Sequence, residues 1–423
     1  MSETRSADAA ERGAAVSFDI RQLSPQFLDN PYPTYRALRE CNPVHRMPDG
    51  SYFLTRYHDC LEVYHDTATW SSDKKIDFQP NFADSLLYEH HTTSLVFNDP
   101  PYHTRVRKLL APAFTPRALR ALQVRIEALV DRLLDEAAER GRIDLIADFA
   151  AAIPIQLIGD MLGIPQGERE PLRDWSLAIL GALEPVLNRQ QFDTGVGAVA
   201  EFKDYLDDVI VRRQGSDDGD PAEILSKLIA GTDLTSPAAH SDRMSKLELL
   251  HNCIFLLNAG HETTTNLIGN GVDLLIRHPA VMADLRSHPE AVDSAVEEFL
   301  RMESSNQLGN RRATKDAVLG GVAMDAGCYV HIAIGAANRD PAQFPDPDRL
   351  DIRRQPNRHL AFGTGIHACA GMSLARMEAQ VAIGRLLQRF SRIEPAGAFV
   401  RGGRARFRGF KSYPVQVSNA GAA

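Results

Sequence analysis

The chain has no run of the roughly twenty apolar residues that a membrane-spanning helix requires. Its N-terminal stretch, MSETRSADAAERGAAVSFDI, is polar and mixed in charge and has no apolar signal core. These two absences predict a soluble, cytoplasmic protein with no membrane partner. Cysteine is scarce: Cys41, Cys60, Cys253, Cys328 and Cys369 are the five in 423 residues, at unrelated spacings and with no CxxC pair. An odd, irregular set argues against a disulfide framework. The missing CxxC argues against zinc and iron–sulfur sites, which want several thiolates. Basic charge is not in excess: 47 Lys and Arg against 55 Asp and Glu leave a net charge of −8, which argues against a nucleic-acid partner. No repeat of 20–50 residues and no linker divides the chain. The expectation is a disordered segment over residues 1–17 and a single domain over 18–423.

What is present is a loop built to hold one thiolate. In HLAFGTGIHACAGMSLAR, His359 to Arg376, Cys369 sits among Phe362-Gly363, Gly365 and Gly371, and a helical pattern follows it. A thiolate that binds a metal must be partly desolvated yet kept deprotonated. Glycines let backbone N–H groups turn toward the sulfur, and the following helix N-terminus adds partial positive charge. With a single thiolate, a haem, which needs only one axial protein ligand, fits best.

Two helices carry further chemistry. In Asp99 to Lys108, DPPYHTRVRK, prolines mark a helix start. His103 and Arg107, four apart, share a face and can hold one anion, although a solvated basic face is the ordinary reading of such a run. Ser245 to His278 reads as one long apolar helix ended by Pro279. Its middle, NAGHETTTN from Asn258 to Asn266, places glycine, carboxylate and β-branched hydroxyls where propensity favours alanine and leucine. Such local rule-breaking points to function. Ala259 and Gly260 are expected to leave room for a small ligand, Thr263 to hydrogen-bond it, Glu262 to relay protons, and His261 to face outward.

The loop F-G-T-G-I-H-A-C-A-G resembles the cysteine-ligand loop of the cytochrome P-450 superfamily, and the Ala259-Gly260-His261-Glu262-Thr263-Thr264 turn resembles that family's oxygen-activation pattern. Glu298-Phe299-Leu300-Arg301, in a helix over 291–301, is similar to its Glu-x-x-Arg pair. With the His103–Arg107 helix, these make four motifs that fall in the family's order over roughly residues 30 to 417.

The resemblance implies a mainly α protein with the triangular helical haem-thiolate fold and a minor β-region. It also implies heme b (iron protoporphyrin IX) with Cys369 as its metal ligand. His103, Arg107, Arg311 and His367 are implied for the propionates, Ala259, Gly260 and Phe362 for cofactor contact, Glu262 and Thr263 for catalysis, and Glu298 with Arg301 as a structural pair. The implied activity inserts one oxygen atom of dioxygen into a small, largely apolar substrate. No flavin or iron–sulfur motif is present, so electrons come from a separate ferredoxin or flavodoxin and its NAD(P)H reductase, with Arg105 and Lys108 as a solvent-facing basic docking surface. A peroxide-driven haem-thiolate enzyme, or a haem-binding sensor or carrier, is the alternative.

The family's substrate-facing segments place Phe82, Leu86, Phe255, Asn306, Gln307 and Phe410 at the pocket. Ser304-Ser305-Asn306-Gln307 departs from the family, which most often has proline and an apolar residue there.

The remaining chain reads coarsely. A short helix spans 34–40, and a hairpin joins 44–47 to 52–55 through Pro48-Asp49-Gly50. Residues 74–98 form an irregular loop. Helical patterns run over 122–134, 143–164, 172–187, 201–213 and 372–390, with a loop at 214–221. Short strands fill 318–334, and a terminal hairpin over 404–417 has Gly409-Phe410 at its tip.

Overall fold

The structure is a computed structural model that describes residues 17–213, 224–234 and 243–419. The expected disordered start, up to residue 16, and the loop 214–221 lie outside the described residues. The chain divides into two compact units. One comprises 1–72, 273–369 and 400–411, and the other 73–272, 370–399 and 412–423.

The first unit is built on a five-stranded sheet. Val44–Arg46 pairs antiparallel with Tyr52–Leu54, Val44 opposite Leu54, through the expected turn, where Gly50 takes φ +86°. Tyr329–Ala333 runs parallel to Tyr52–Leu54 and antiparallel to Leu308–Ala313, and Trp70–Ser71 closes the edge. Side chains on a strand alternate between faces, and both faces of this sheet are covered. Tyr52, Leu54, Val330 and Ile332 enter a cluster with Val63, Trp70 and Phe344. Phe53 points the other way, to Phe18, Tyr35 and Leu38 under the helix Tyr32–Cys41.

The second unit is mostly helical. Pro116–Arg140 starts where the Thr115 hydroxyl accepts a hydrogen bond from the Ala118 N–H, and it stops where Gly141 takes φ +66°. Its buried stripe, Leu122, Ile126, Val130, Leu133 and Leu134, is the amphipathic pattern visible in the sequence. It packs against Met372–Arg389, whose Ala382, Ile383 and Leu386 are buried. Arg385 ties the pair through Glu127 and Asp131. Among the described residues no helix is long and apolar enough to cross a membrane.

Three expectations are corrected. Residues 74–98 are not an irregular loop but two helices, Lys75–Phe82 and Leu86–Thr93, and a turn of 3-10 helix, Leu95–Phe97. Pro80 and the polar residues blur the helical period. The Ser85 hydroxyl caps the second helix, and Phe78, Phe82, His91 and Phe97 form one aromatic cluster with ring centroids 5.1–5.6 Å apart. The pattern over 143–164 is interrupted: Arg142–Asp144 is a strand, Leu145–Ala150 a π-helical turn, and only then does Ala152–Met161 form an α-helix.

The terminal hairpin is also different. Phe410–Ser412 pairs with Val400–Arg401, with Gly402 N–H donating to the Gly409 carbonyl. Pro414–Ser418 joins Arg392–Pro395 and Arg142–Asp144 in another sheet. Gly409-Phe410 is therefore part of the pairing and not its tip.

Candidate active site

In the first unit the cysteine loop is held by its backbone. Leu360 N–H donates to Asn338 Oδ1 at 2.7 Å, Gly363 N–H to the Leu360 carbonyl at 2.9 Å, and Cys369 N–H to the Phe362 carbonyl at 2.9 Å. Gly363 and Gly365 have φ of +62° and +69°, a region that glycine alone enters freely. At Gly365 a side chain is excluded twice, because a Cβ would lie 2.9 Å from the Tyr64 carbonyl oxygen, which is backbone and cannot yield. The turn Gly365–His367 then delivers the chain to Cys369.

Exposure separates this cysteine from the others. Cys60 and Cys253 are buried, and burial pushes both thiols up, Cys253 to about 12. Cys369 is partly exposed and lies in the only one of the five settings that combines left-handed glycines with a following long helix. Its unit also holds the buried Arg311, whose guanidinium stacks 5.3 Å over the Tyr64 ring and donates to the Asn310 carbonyl. A partly exposed cysteine with a guanidinium and His367 in the same unit fits a metal-centred group that carries carboxylates. Phe362, also in this loop, has its ring 6.0 Å from that of His359.

The Glu-x-x-Arg pair is fully interior. Arg301 donates to both oxygens of Glu298 at 2.8 Å, and both side chains have 0 % exposure. Arg301 also reaches the carbonyls of Asn338 and Pro347, while Glu298 accepts from Arg354, Asn357 and the Asp351 N–H. The pair thus ties the helix Val292–Met302 to the segment that leads into the cysteine loop.

In the second unit the long helix is Lys246–Arg277. From residue 251 to 275 it is buried except for Phe255, Leu256, Ala259, Gly260 and Thr263. These recur at four-residue intervals, so they form one open stripe along an otherwise packed helix. Ala259 is its most open member. Thr263 Oγ1 donates to the Ala259 carbonyl at 2.7 Å, and Glu262 is buried beside it.

Gly260 is half-buried, and a Cβ there would lie 2.7 Å from Ile158 Cδ1. One expectation about this turn is corrected. His261 does not face outward: it is 1 % exposed.

His103 is buried and Arg107 half-buried on the helix Tyr102–Leu110. Arg105 does not present a free docking charge. It pairs with Glu248 and donates to the Arg243 carbonyl at 2.9 Å. Lys108 on the same helix is exposed.

The pocket residues fall into different settings. Phe255 lies on the open stripe, and Leu86 is half-buried at the start of its helix. Phe82 is buried in the aromatic cluster. Gln307 is spent on the scaffold: its Nε2 donates to the Ser304 carbonyl at 2.7 Å, and its amide fills the room that Gly335 leaves. Asn306, half-buried, accepts from Leu308 N–H. Phe410 is buried with the Arg401 guanidinium 4.0 Å above its ring.

Sequence reasoning missed His90, His251 and Asn258, which join in one buried polar line. Two adjacent histidines in an apolar segment were the available signal.

Comparison with known proteins agrees with this geometry. The family model described as "Cytochrome P450" matches residues 26–398. A vitamin D(3) 25-hydroxylase of Pseudonocardia autotrophica is 38 % identical over 375 residues, 86 % of this chain and 87 % of that protein. The cytochrome P450 monooxygenase PikC of Streptomyces venezuelae is 36 % identical over 408 residues, 94 % of each chain. The crystal structure of P450BioI, in complex with an acyl carrier protein ligated to hexadec-9Z-enoic acid, matches with a TM-score of 0.86 at 32 % identity. That match covers 93 % of this chain and 100 % of that one.

Proposed function

This chain belongs to the cytochrome P450 family, and from that premise we propose how its residues divide the work of a haem-thiolate monooxygenase. The family binds heme b, and its members insert one oxygen atom of dioxygen into small organic substrates with electrons from redox partners. Bound haem supplies the oxidising chemistry.

Cys369 would hold the haem iron through its thiolate. The observation that carries this is its partial exposure in a loop held by backbone bonds and left-handed glycines. Arg311, His367, His103 and Arg107 would hold the propionates, and Phe362 would contact the ring. Ala259 offers the opening in the long helix. Thr263 holds a hydroxyl at that opening, and Glu262, buried one residue earlier, moves protons toward it. Glu298 and Arg301 hold the segment that leads to the ligand loop. The whole acts as a single haem domain over residues 18–423.

The electron donor is a ferredoxin or flavodoxin with its NAD(P)H reductase, and the site of action is the cytoplasm. The substrate is small and largely apolar. Phe255 on the open stripe supports this, as do relatives whose names refer to vitamin D(3) and to a fatty acyl chain.

The test is turnover of a substrate that shifts the haem spectrum, with a surrogate ferredoxin, its reductase and NADPH, compared with peroxide alone. Product formed with the reductase system and little with peroxide supports the proposal. Product with peroxide alone favours the peroxide-driven alternative, and none with either favours a sensor or carrier.

A further inference from the structure

A line of polar side chains runs from the surface of the second unit to the Ala259 turn. Lys203 Nζ donates to Glu89 Oε1 at 2.7 Å, and His251 Nε2 lies 2.9 Å from the same oxygen. His90 Nδ1 lies 3.4 Å from His251 Nδ1, and Asn258 Nδ2 lies 3.4 Å from His90 Nε2. Glu89 is about one-third exposed, whereas His90, His251 and Asn258 are all buried. The helices Leu86–Thr93, Arg189–Arg213 and Lys246–Arg277 each contribute to it.

The carboxylate end fixes the direction of every bond. Hydrogen bonds from His251 and Lys203 hold Glu89 down to about 2, so it is ionised and only accepts. His251 Nε2 must therefore carry a proton. Burial lowers the His251 pKa against the opposing pull of Glu89, with Lys203 lowering it further, so the ring is neutral and its Nδ1 is bare. His90 must then donate from Nδ1. Burial, His91 and His251 lower the His90 pKa, so that ring is neutral too and its Nε2 is an acceptor.

Asn258 satisfies that acceptor with its amide N–H, which leaves Oδ1 turned away from the line. Asn258 Oδ1 is buried and meets no donor among the described residues. Native proteins rarely leave a buried carbonyl oxygen unpaired, and such an atom is a ready acceptor for a ligand donor. Asn258 adjoins Ala259, the most open member of the stripe.

We propose that Asn258 is a specificity-determining residue. Its Oδ1, oriented by the Glu89–His251–His90 line, accepts a hydrogen bond from an O–H or N–H group on the substrate. The inference rests on the haem-thiolate reading for the place where substrate binds. It commits the otherwise apolar substrate to one hydrogen-bond donor close to the oxidised region. A donor at that position gains a bond that an ether or ketone of the same shape cannot make.

The test has two arms. In the carbon monoxide complex of the ferrous holoprotein, 15N NMR of labelled histidine reads the tautomers directly. Expected at pH 8 are the Nδ1–H form for His90 and the Nε2–H form for His251. The opposite tautomer at either ring overturns the proposal.

The second arm measures binding of cyclododecanol, its methyl ether and cyclododecanone to the holoprotein by calorimetry. The alcohol is expected to bind about tenfold more tightly than the other two. Asn258→Leu should abolish the difference while leaving ether binding in place, and His90→Phe should reduce it. Equal binding of the three, or binding of none up to their solubility, removes Asn258 as a reader of substrate. Neither arm depends on turnover, so failure of the monooxygenase reading would leave both results as expected.

Discussion

Arg301 grips Glu298 through two parallel hydrogen bonds of 2.8 Å, and neither side chain touches solvent. Removing one partner of such a pair strands the other charge in the interior, which costs about 3–5 kcal/mol. Glu298→Ala strands not only Arg301 but also Arg354, which bonds the same carboxylate. The expected outcome is little folded holoprotein, read as haem content per protein after expression. Normal haem content and an unchanged melting temperature would contradict it.

Gly260 gives a prediction opposite to the one that helix propensity suggests. Alanine gains about 1 kcal/mol over glycine in a helix interior. Here, however, the new methyl would press on Ile158 Cδ1 at 2.7 Å, and overpacking costs about 1–3 kcal/mol. Gly260→Ala should therefore lower the melting temperature, and adding Ile158→Val should recover it. A stabilised single variant would show that Ile158 moves aside without cost.

Glu378 lies buried on the helix Met372–Arg389, and burial raises its pKa to about 8. An unfolded glutamate titrates near 4.3. The folded state therefore keeps a proton that the unfolded state loses. The group's contribution is fully present below about pH 4 and is lost as pH rises toward 8, amounting to about 3 kcal/mol by pH 7. Glu378→Gln, neutral at every pH, should be more stable than the parent at pH 7.5 and similar at pH 4.5. Denaturation curves at the two pH values check this, and equal differences at both would refute it.

The Thr263 hydroxyl, bonded to the Ala259 carbonyl, stands at the open stripe where proton delivery is assigned. In Thr263→Ala, substrate should bind as in the parent and reductant should still be consumed. A larger share of the electrons should appear as hydrogen peroxide. Unchanged coupling of reductant to product would take Thr263 out of proton delivery.

Much of this molecule was legible in its residues, for physical reasons that can be named. The Cys369 loop and the long helix announce themselves because glycines and polar residues there defy local preference, and backbone geometry explains the defiance at Gly363 and Gly365. Helical spacing allows the Glu298–Arg301 contact but is weak evidence by itself, and the family resemblance is what singled the pair out. The segment 74–98 was misread because its order comes from an aromatic cluster of four side chains and not from a period of 3.6.

Arg105 was taken as free because Glu248 lies more than a hundred residues away in sequence. The line from Glu89 to Asn258 was invisible for the same reason, since two helices far apart in sequence must come together before the histidines meet.

The central claim is that Cys369 is the axial ligand of a haem. Its most direct test is the absorption spectrum of the reduced protein with carbon monoxide, for the parent and for Cys369→Ala. The parent should show the strongly red-shifted Soret band of a thiolate-ligated carbonyl complex, and the variant should lose it. A variant that keeps that band, or a parent that never shows it, would contradict the assignment.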